Sequence, residues 1–191
     1  ADTAAGGDYF MLQINANGGL SIVVGVSSTT YQFNSNATDL IVGKGWKLVG
    51  LTMGSDNTWH FWIDGVEVTG FSNSVYNGDN GKWFNDFTNH DCIAIGSLLR
   101  TSAAQFFDGQ IAQVGVWGGS SGTTGVLTAT QISAINDLGP GADLTTDYAT
   151  GMSGYWTFGN KITEGTDTGS TIYDQSAGSD DDLTGVSLAA P

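Results

Sequence analysis

The chain has 191 residues, with 5 Lys and Arg against 19 Asp and Glu, and its formal net charge is −14. This length is enough for one domain with a sizeable core, and so negative a surface repels phosphate backbones and anionic lipid headgroups. We therefore expect no nucleic-acid partner, and the lack of a long apolar run predicts no membrane insertion. The single cysteine excludes an internal disulfide.

Short apolar segments alternate with turn residues along most of the chain. Turn signals such as Asn17-Gly18-Gly19 separate segments in which apolar and polar residues alternate with a period of two. We predict strands over residues 8–15, 20–26, 29–33, 46–53, 59–64, 66–69, 92–97, 110–117, 154–158 and 170–173.

The strongest strand pattern lies between residues 46 and 70. Asp64-Gly65 is a hairpin signal, because a type I′ turn needs a positive φ at both central positions. His60 lies on the face opposite the core and is expected to contact a polar neighbour. The apolar side chains that share the core face of this strand are Trp59, Phe61 and Ile63.

One helix is predicted, over residues 129–138. Thr128 and Gln131 fit a capping box, and Gly139-Pro140 ends the helical pattern. Its apolar stripe consists of Ile132 and Ile135. Many short strands with one short helix predict a two-sheet antiparallel sandwich.

No arrangement of residues predicts an enzyme. A glycoside hydrolase needs two carboxylates beside the scissile bond, and Glu67, just after the hairpin turn, has no acidic partner at i+2. His90 and Cys92 are spaced to share a strand face as base and nucleophile, but the sequence offers no third group to orient them. We therefore predict no catalytic residues, and we interpret Cys92 as a core residue beside a surface histidine.

Residues 71–91 form a long segment that is rich in Asn, Asp and Gly and also carries aromatic residues. Such a segment is usually functional or packed on itself. One interpretation is a sugar-binding surface, where rings stack on the sugar and amides hydrogen-bond to it. The other is that the rings only pack the segment onto the sheet. The candidate glycan-binding residues are Tyr76, Asn77, Asp79, Asn80, Trp83, Phe84 and Asn85.

Several motifs together resemble a known family. Trp46 and its apolar strand, followed by WHFWIDGVEVTG, IAIGS, FFDGQIAQVGVW and LTATQISAI, resemble a laminin-G-like domain over about residues 8–138. The resemblance implies an all-β fold, a two-sheet antiparallel jelly-roll sandwich of the concanavalin A type with one short helix. The tail motifs GYWTFGN and TIYDQSAGSDDDLTGVSL are similar to a segment that often follows such domains in virion proteins of marine bacteriophages. We expect a sandwich over residues 1–151, and a C-terminal extension over 152–191 that packs on the sandwich or on a neighbouring subunit.

The resemblance also implies a calcium ion. Laminin-G-like domains often hold one ion at the rim, between loop Asp side chains and backbone carbonyls. Carboxylate oxygens in a strongly negative field favour Ca²⁺ over other ions, and no further cofactor is expected. The candidate ligands are Asp56, Asp79, Asp86 and Asp91.

The family pattern starts late in this chain. Members of the family usually begin with one or two more strands before the position of Asp8. The chain is therefore expected to be a fragment, or to have this sheet edge covered by residues 155–158 or by a neighbouring subunit, because an exposed edge strand invites pairing. The first residues lack a basic and apolar leader, so we expect a signal peptide to be absent or already removed.

These patterns predict a non-enzymatic structural or attachment module on a virion exterior or otherwise outside the cell. It would be a capsid decoration protein, a fibre or a tail appendage that binds neighbouring subunits or a host-surface glycan, and we expect a homo-oligomer. The alternative is a secreted or cell-surface bacterial lectin or adhesin module. A glycan-active enzyme is the third hypothesis.

Overall fold

A computed structural model describes residues 8–35, 43–54, 58–69, 71–73, 82–87, 94–99, 103–104, 106–118, 125–158, 171–172, 176 and 183–184. Contacts between Cα atoms divide the chain into two compact units, Ala1–Gly109 and Gln110–Pro191. The strands are β1 Tyr9–Ile14, β2 Leu20–Val26, β3 Thr29–Ser35, β4 Val49–Met53, β5 Trp59–Ile63, β6 Val66–Glu67, β7 Phe71–Asn73, β8 Leu98–Leu99, β9 Ala103–Ala104, β10 Gln113–Trp117, β11 Met152–Thr157, β12 Thr171–Ile172 and β13 Leu183–Thr184. The helices are a 3-10 helix, Phe84–Asp86, and the α-helix α1, Ala129–Leu138.

The first unit contains two antiparallel sheets whose buried residues form one core. One sheet has the strand order β1-β2-β3-β7, the other has the order β4-β5-β6, and β8 pairs with β9. Side chains alternate between the two faces of a strand, so alternate residues of β2 and β5 reach this core. The buried cluster consists of Leu20, Ile22, Val24, Trp59, Phe61 and Phe87.

The β5–β6 hairpin has the turn that its sequence predicts. Asp64 and Gly65 have φ angles of 51° and 77°, the positive values that a type I′ turn requires. The predicted core-facing residues Trp59, Phe61 and Ile63 are buried or packed against the core cluster. The opposite face is not wholly polar, because Trp62 is buried and its indole N–H donates to the Thr52 hydroxyl at 3.0 Å.

The second unit contains the β10–β11 pair, α1 and the β12–β13 pair. The predicted helix is confirmed over Ala129–Leu138, and its capping box is formed. The Thr128 hydroxyl accepts from the Gln131 N–H at 3.3 Å, and the Gln131 side chain accepts from the Thr128 N–H at 2.9 Å. The Tyr155 hydroxyl donates to the Ala142 carbonyl at 2.6 Å, and burial raises the pKa of Tyr155 to about 12, so this donor stays protonated.

Several parts of the predicted strand pattern are wrong, and the strand expected from residue 110 begins only at Gln113. In the strand expected over 92–97, residue 94 has no regular structure and residues 95–97 form bends; residues 92 and 93 lie outside the described part. The strand expected from residue 46 begins only at Val49, and Trp46 is exposed. A glycine with a positive φ lies within or beside each of the last two segments, Gly96 at 80° and Gly45 at 76°, and this conformation interrupts an extended backbone.

The broader prediction of a predominantly antiparallel β-fold with one α-helix is confirmed for the described residues. The division of the chain at residue 151 stays a prediction. Residues of the expected C-terminal extension form β11, which pairs with β10. Within the described part, β1 is the outermost strand of its sheet, and the cover expected for that edge also stays a prediction. No helix among these residues is long and apolar enough to cross a membrane.

Candidate functional site

Four aromatic side chains of the first unit form a cluster that we call the ring platform: Phe10, Trp83, Phe84 and Phe87. Phe10 belongs to β1, and the other three lie in or beside the 3-10 helix Phe84–Asp86. The Phe84 ring centroid lies 4.6 Å from that of Phe10 and 4.8 Å from that of Trp83. Phe87 is 5.9 Å from Phe84, and Phe10 meets Trp83 edge-on at 5.0 Å. Aromatic pairs attract one another at these separations, so the rings hold the segment in place.

The ring platform is anchored to the core of the first unit. Phe87 is buried and belongs to the core cluster, and both Phe10 and Trp83 pack against that cluster. The Trp59 indole N–H donates to the Lys82 carbonyl at 3.1 Å. Residues 82–87 are therefore fixed at one end by β5 and at the other end by the core.

An ion pair lies beside the rings. Asp86 Oδ1 accepts a hydrogen bond from Lys82 Nζ at 2.9 Å, and Oδ2 accepts one from the Trp83 backbone N–H at 2.9 Å. Partial burial alone would raise the pKa of Asp86, but the Trp83 N–H and the Lys82 ammonium outweigh it and hold this pKa below its usual value. The hydrogen bond and charge of Asp86 raise the pKa of Lys82. Both groups are therefore charged at neutral pH.

Phe84 is the ring that the platform presents to solvent. The residue is 42% exposed although three rings contact its side chain. The interplanar angles to Phe10, Trp83 and Phe87 are 50°, 58° and 84°, so none of the described rings stacks in parallel on Phe84. A ring that is already fixed in orientation loses little conformational entropy on binding. Its face suits the C–H face of a sugar or an apolar side chain.

The structure brings together two of the seven predicted glycan-binding residues, Trp83 and Phe84. Asn85 lies in the 3-10 helix, but its side chain is outside the described part of the molecule. Four further candidates lie wholly outside the described residues: Tyr76, Asn77, Asp79 and Asn80. The predicted glycan site therefore stays a prediction, with two of its rings placed in one cluster.

Sequence reasoning missed Phe10 as a member of this cluster. The alternation of β1 places Phe10 on one face with other apolar residues, which indicates a core position. The sequence therefore indicates the strand face on which Phe10 lies. It does not identify Phe84 as the partner ring, because their contact joins segments far apart in the sequence.

The predicted calcium ligands are described only in part. Asp56, Asp79 and Asp91 lie outside the described residues. Both carboxylate oxygens of Asp86 accept hydrogen bonds, one of them from the cationic Lys82, so a metal ion here would have to displace an ammonium group. Within the described ranges, no group of three or more His, Cys, Asp or Glu could hold a metal ion. Calcium binding stays a prediction.

A second polar arrangement lies on the outer face of the β5–β6 hairpin. His60 Nδ1 and Glu67 Oε1 are 2.6 Å apart, which confirms the polar neighbour expected for His60. The type I′ turn sets this pair: it places Trp62 opposite Glu67, and His60 is then the diagonal neighbour on the same face. The hairpin register that the Asp64-Gly65 turn predicts carries the signal for this pair. A His–Glu pair can move a proton, but catalysis also needs a nucleophile or a bound substrate at the imidazole.

Comparisons with known proteins give no relative for this chain. No protein-family model matches it, and neither a curated protein nor a solved structure does.

Proposed function

We propose that the chain is a non-enzymatic attachment module that binds a host-surface glycan through the ring platform. The observation that carries this proposal is Phe84, a residue that is 42% exposed while three other rings and the core fix the position of its ring. An exposed aromatic side chain on a rigid support is typical of binding surfaces, where fixed aromatic anchors contribute most of the affinity.

The chemistry beside Phe84 suits an amphipathic ligand such as a sugar. The ring offers an apolar face, and Lys82 and Asp86 place charged hydrogen-bonding groups within the same short segment. A sugar ring has both kinds of surface, C–H groups on its faces and hydroxyls on its edges. The ring platform therefore supports the glycan-binding interpretation of residues 71–91.

The proposed fold is a laminin-G-like jelly roll of the concanavalin A type, on the exterior of a virion. Two antiparallel sheets with one common core support the sandwich part of this proposal. The virion setting rests on the resemblance of the tail motifs. A secreted or cell-surface bacterial lectin or adhesin module would use the same ring platform on a different carrier, and a glycan-active enzyme remains the third hypothesis.

A second candidate function is attachment to neighbouring subunits. It is favoured by Leu12, which is 37% exposed and lies on β1, the outermost described strand of its sheet. An edge strand with an apolar side chain in solvent can accept a strand from another chain. This candidate predicts an oligomer whose assembly depends on β1 and not on Phe84.

The test compares two phenylalanines of the first unit in a glycan-array and calorimetric binding assay. Phe84→Ala should weaken glycan binding by about fivefold or more, because an aromatic contact is worth roughly 1 kcal/mol or more. Phe106→Ala is the matched control, since Phe106 is 73% exposed and lies outside the ring platform. Equal binding by both variants and the parent protein would refute the proposal. Loss of the oligomer in Leu12→Asp, with glycan binding absent in all proteins, would favour subunit attachment instead.

A further inference from the structure

The charged groups beside the ring platform influence which glycans it can accept. An anionic sugar needs a cation that can approach its carboxylate or sulfate. Lys82 precedes Trp83 of the ring platform in the sequence, and its ammonium already donates to Asp86 Oδ1 at 2.9 Å. Lys47 is likewise in an ion pair, with Asp64. Two of the few cations in the chain are thus already engaged by carboxylates.

The net charge of the whole protein also disfavours the binding of anionic sugars. With 19 acidic against 5 basic residues, the formal net charge is −14, so the surface potential is negative and repels anions as they approach. An anionic sugar that binds at Phe84 through Lys82 would share this ammonium group with Asp86, so its anion would lie beside the Asp86 carboxylate. Like charges brought together in this way weaken binding.

We infer that the ring platform binds neutral glycans and discriminates against sialylated or sulfated ones. This inference rests on the proposed function of the platform and adds the ligand class. The Phe84 ring supplies the stacking surface, Lys82 and Asp86 supply hydrogen bonds to hydroxyls, and the Asp86 carboxylate repels a second anion. Because the attraction is not ionic, affinity should depend little on salt.

The test measures binding of one neutral oligosaccharide and its sialylated form by calorimetry. The sialylated form should bind about fivefold or more weakly, as expected for about one unfavourable charge contact. Raising salt from about 0.1 M to about 1 M shortens the Debye length from about 10 Å to about 3 Å, and affinity for the neutral form should change less than about twofold.

Two matched variants identify the ion pair as the cause. Asp86→Asn removes the carboxylate beside Lys82 and should reduce the difference in affinity between the neutral and the sialylated sugar. Asp64→Asn makes the same change in net charge at the other end of β5, about 16 Å along the strand from Trp59. It should leave the difference in affinity between the two sugars unchanged. Asn tolerates the positive φ of position 64, so the turn is retained.

The outcomes separate this inference from the proposed function. If the sialylated form binds better, with affinity that falls steeply as salt rises and is lost in Phe84→Ala, the ligand class is wrong and the platform is still a glycan site. If Asp86→Asn and Asp64→Asn change the discrimination equally, the ion pair is not its cause and the inference fails. If neither sugar binds, or Phe84→Ala binds both as the parent does, both the inference and the proposed function fail.

Discussion

The β5–β6 hairpin and the ring platform are built from similar residues but use them in opposite ways. Each combines large aromatic side chains with a neighbouring Lys–Asp ion pair: Asp64 of the hairpin turn pairs with Lys47, which precedes β4, and Lys82 pairs with Asp86 beside the platform rings. In the hairpin Phe61 is fully buried between two sheets, whereas in the platform Phe84 is 42% exposed. Composition alone therefore does not distinguish an aromatic core from an aromatic binding surface. The position of each ring relative to the core distinguishes the two.

This difference has a physical origin in the two segments. The hairpin is a regular pair of strands, and its alternation sends every second residue into the core. The ring platform is an irregular segment that uses Phe87 as an anchor in the core and Trp83 as a partly buried support. Phe84 then lies on the outside of rings that are themselves fixed.

The largest expected effect is the contrast between two identical truncations. Phe61→Ala removes a ring that is 0% exposed and should lower the free energy of unfolding by about 3–5 kcal/mol. Phe84→Ala removes a half-exposed ring and should cost about 1 kcal/mol, from lost ring contacts. Urea denaturation measures both values. If the two truncations cost the same, Phe84 is a core residue and the contrast between the regions is wrong.

A smaller effect is expected when the link between the two regions is removed. Trp59→Phe deletes the indole N–H that donates to the Lys82 carbonyl, at a cost of about 1–2 kcal/mol. It should also speed hydrogen exchange at the Asp86 and Phe87 amides, which donate within residues 82–87. Trp62→Phe is the control, because it deletes a comparable indole bond, to Thr52, on the other face of β5. Equal exchange at those amides in both variants would show that Trp59 does not anchor the platform.

The smallest expected effect is a pH dependence confined to the ring platform. The folded pKa of Asp86 lies below its unfolded value of 3.8, so its stabilising contribution is present above pH 3.8 and is lost as the pH falls through the folded pKa. Because the pair is partly exposed, the change should be less than about 1 kcal/mol. The Trp83 amide shift, followed by NMR from neutral to acid pH, should show this step. Asp86→Asn should abolish the step, and its survival in that variant would assign it to another group.

The sequence was most informative where local signals act alone. The Asp64-Gly65 turn, the capping box of α1 and the alternation of β5 each depend on residues close together in the chain, and the structure has all three. The bends at residues 95–97 were missed because an apolar run predicts a strand whether or not a partner strand is in reach.

The candidate site was predicted only in part, for the same reason. The composition of residues 71–91 singled out Trp83 and Phe84, but not which ring would remain in solvent. That outcome depends on Phe10 and on the Trp59 bond to Lys82, contacts between segments distant in the sequence. The ion pair between Asp86 and Lys82 is likewise a property of the folded segment.

The most direct test is to detect the ligand at the Phe84 ring itself. The protein would be labelled at phenylalanine and mixed with a neutral oligosaccharide, and intermolecular nuclear Overhauser effects would be recorded between aromatic ring protons and sugar C–H protons. The ring platform predicts such effects at Phe84 and none at Phe106, which is more exposed. Effects at Phe106 with none at Phe84, or a bound sugar that contacts neither ring, would contradict it.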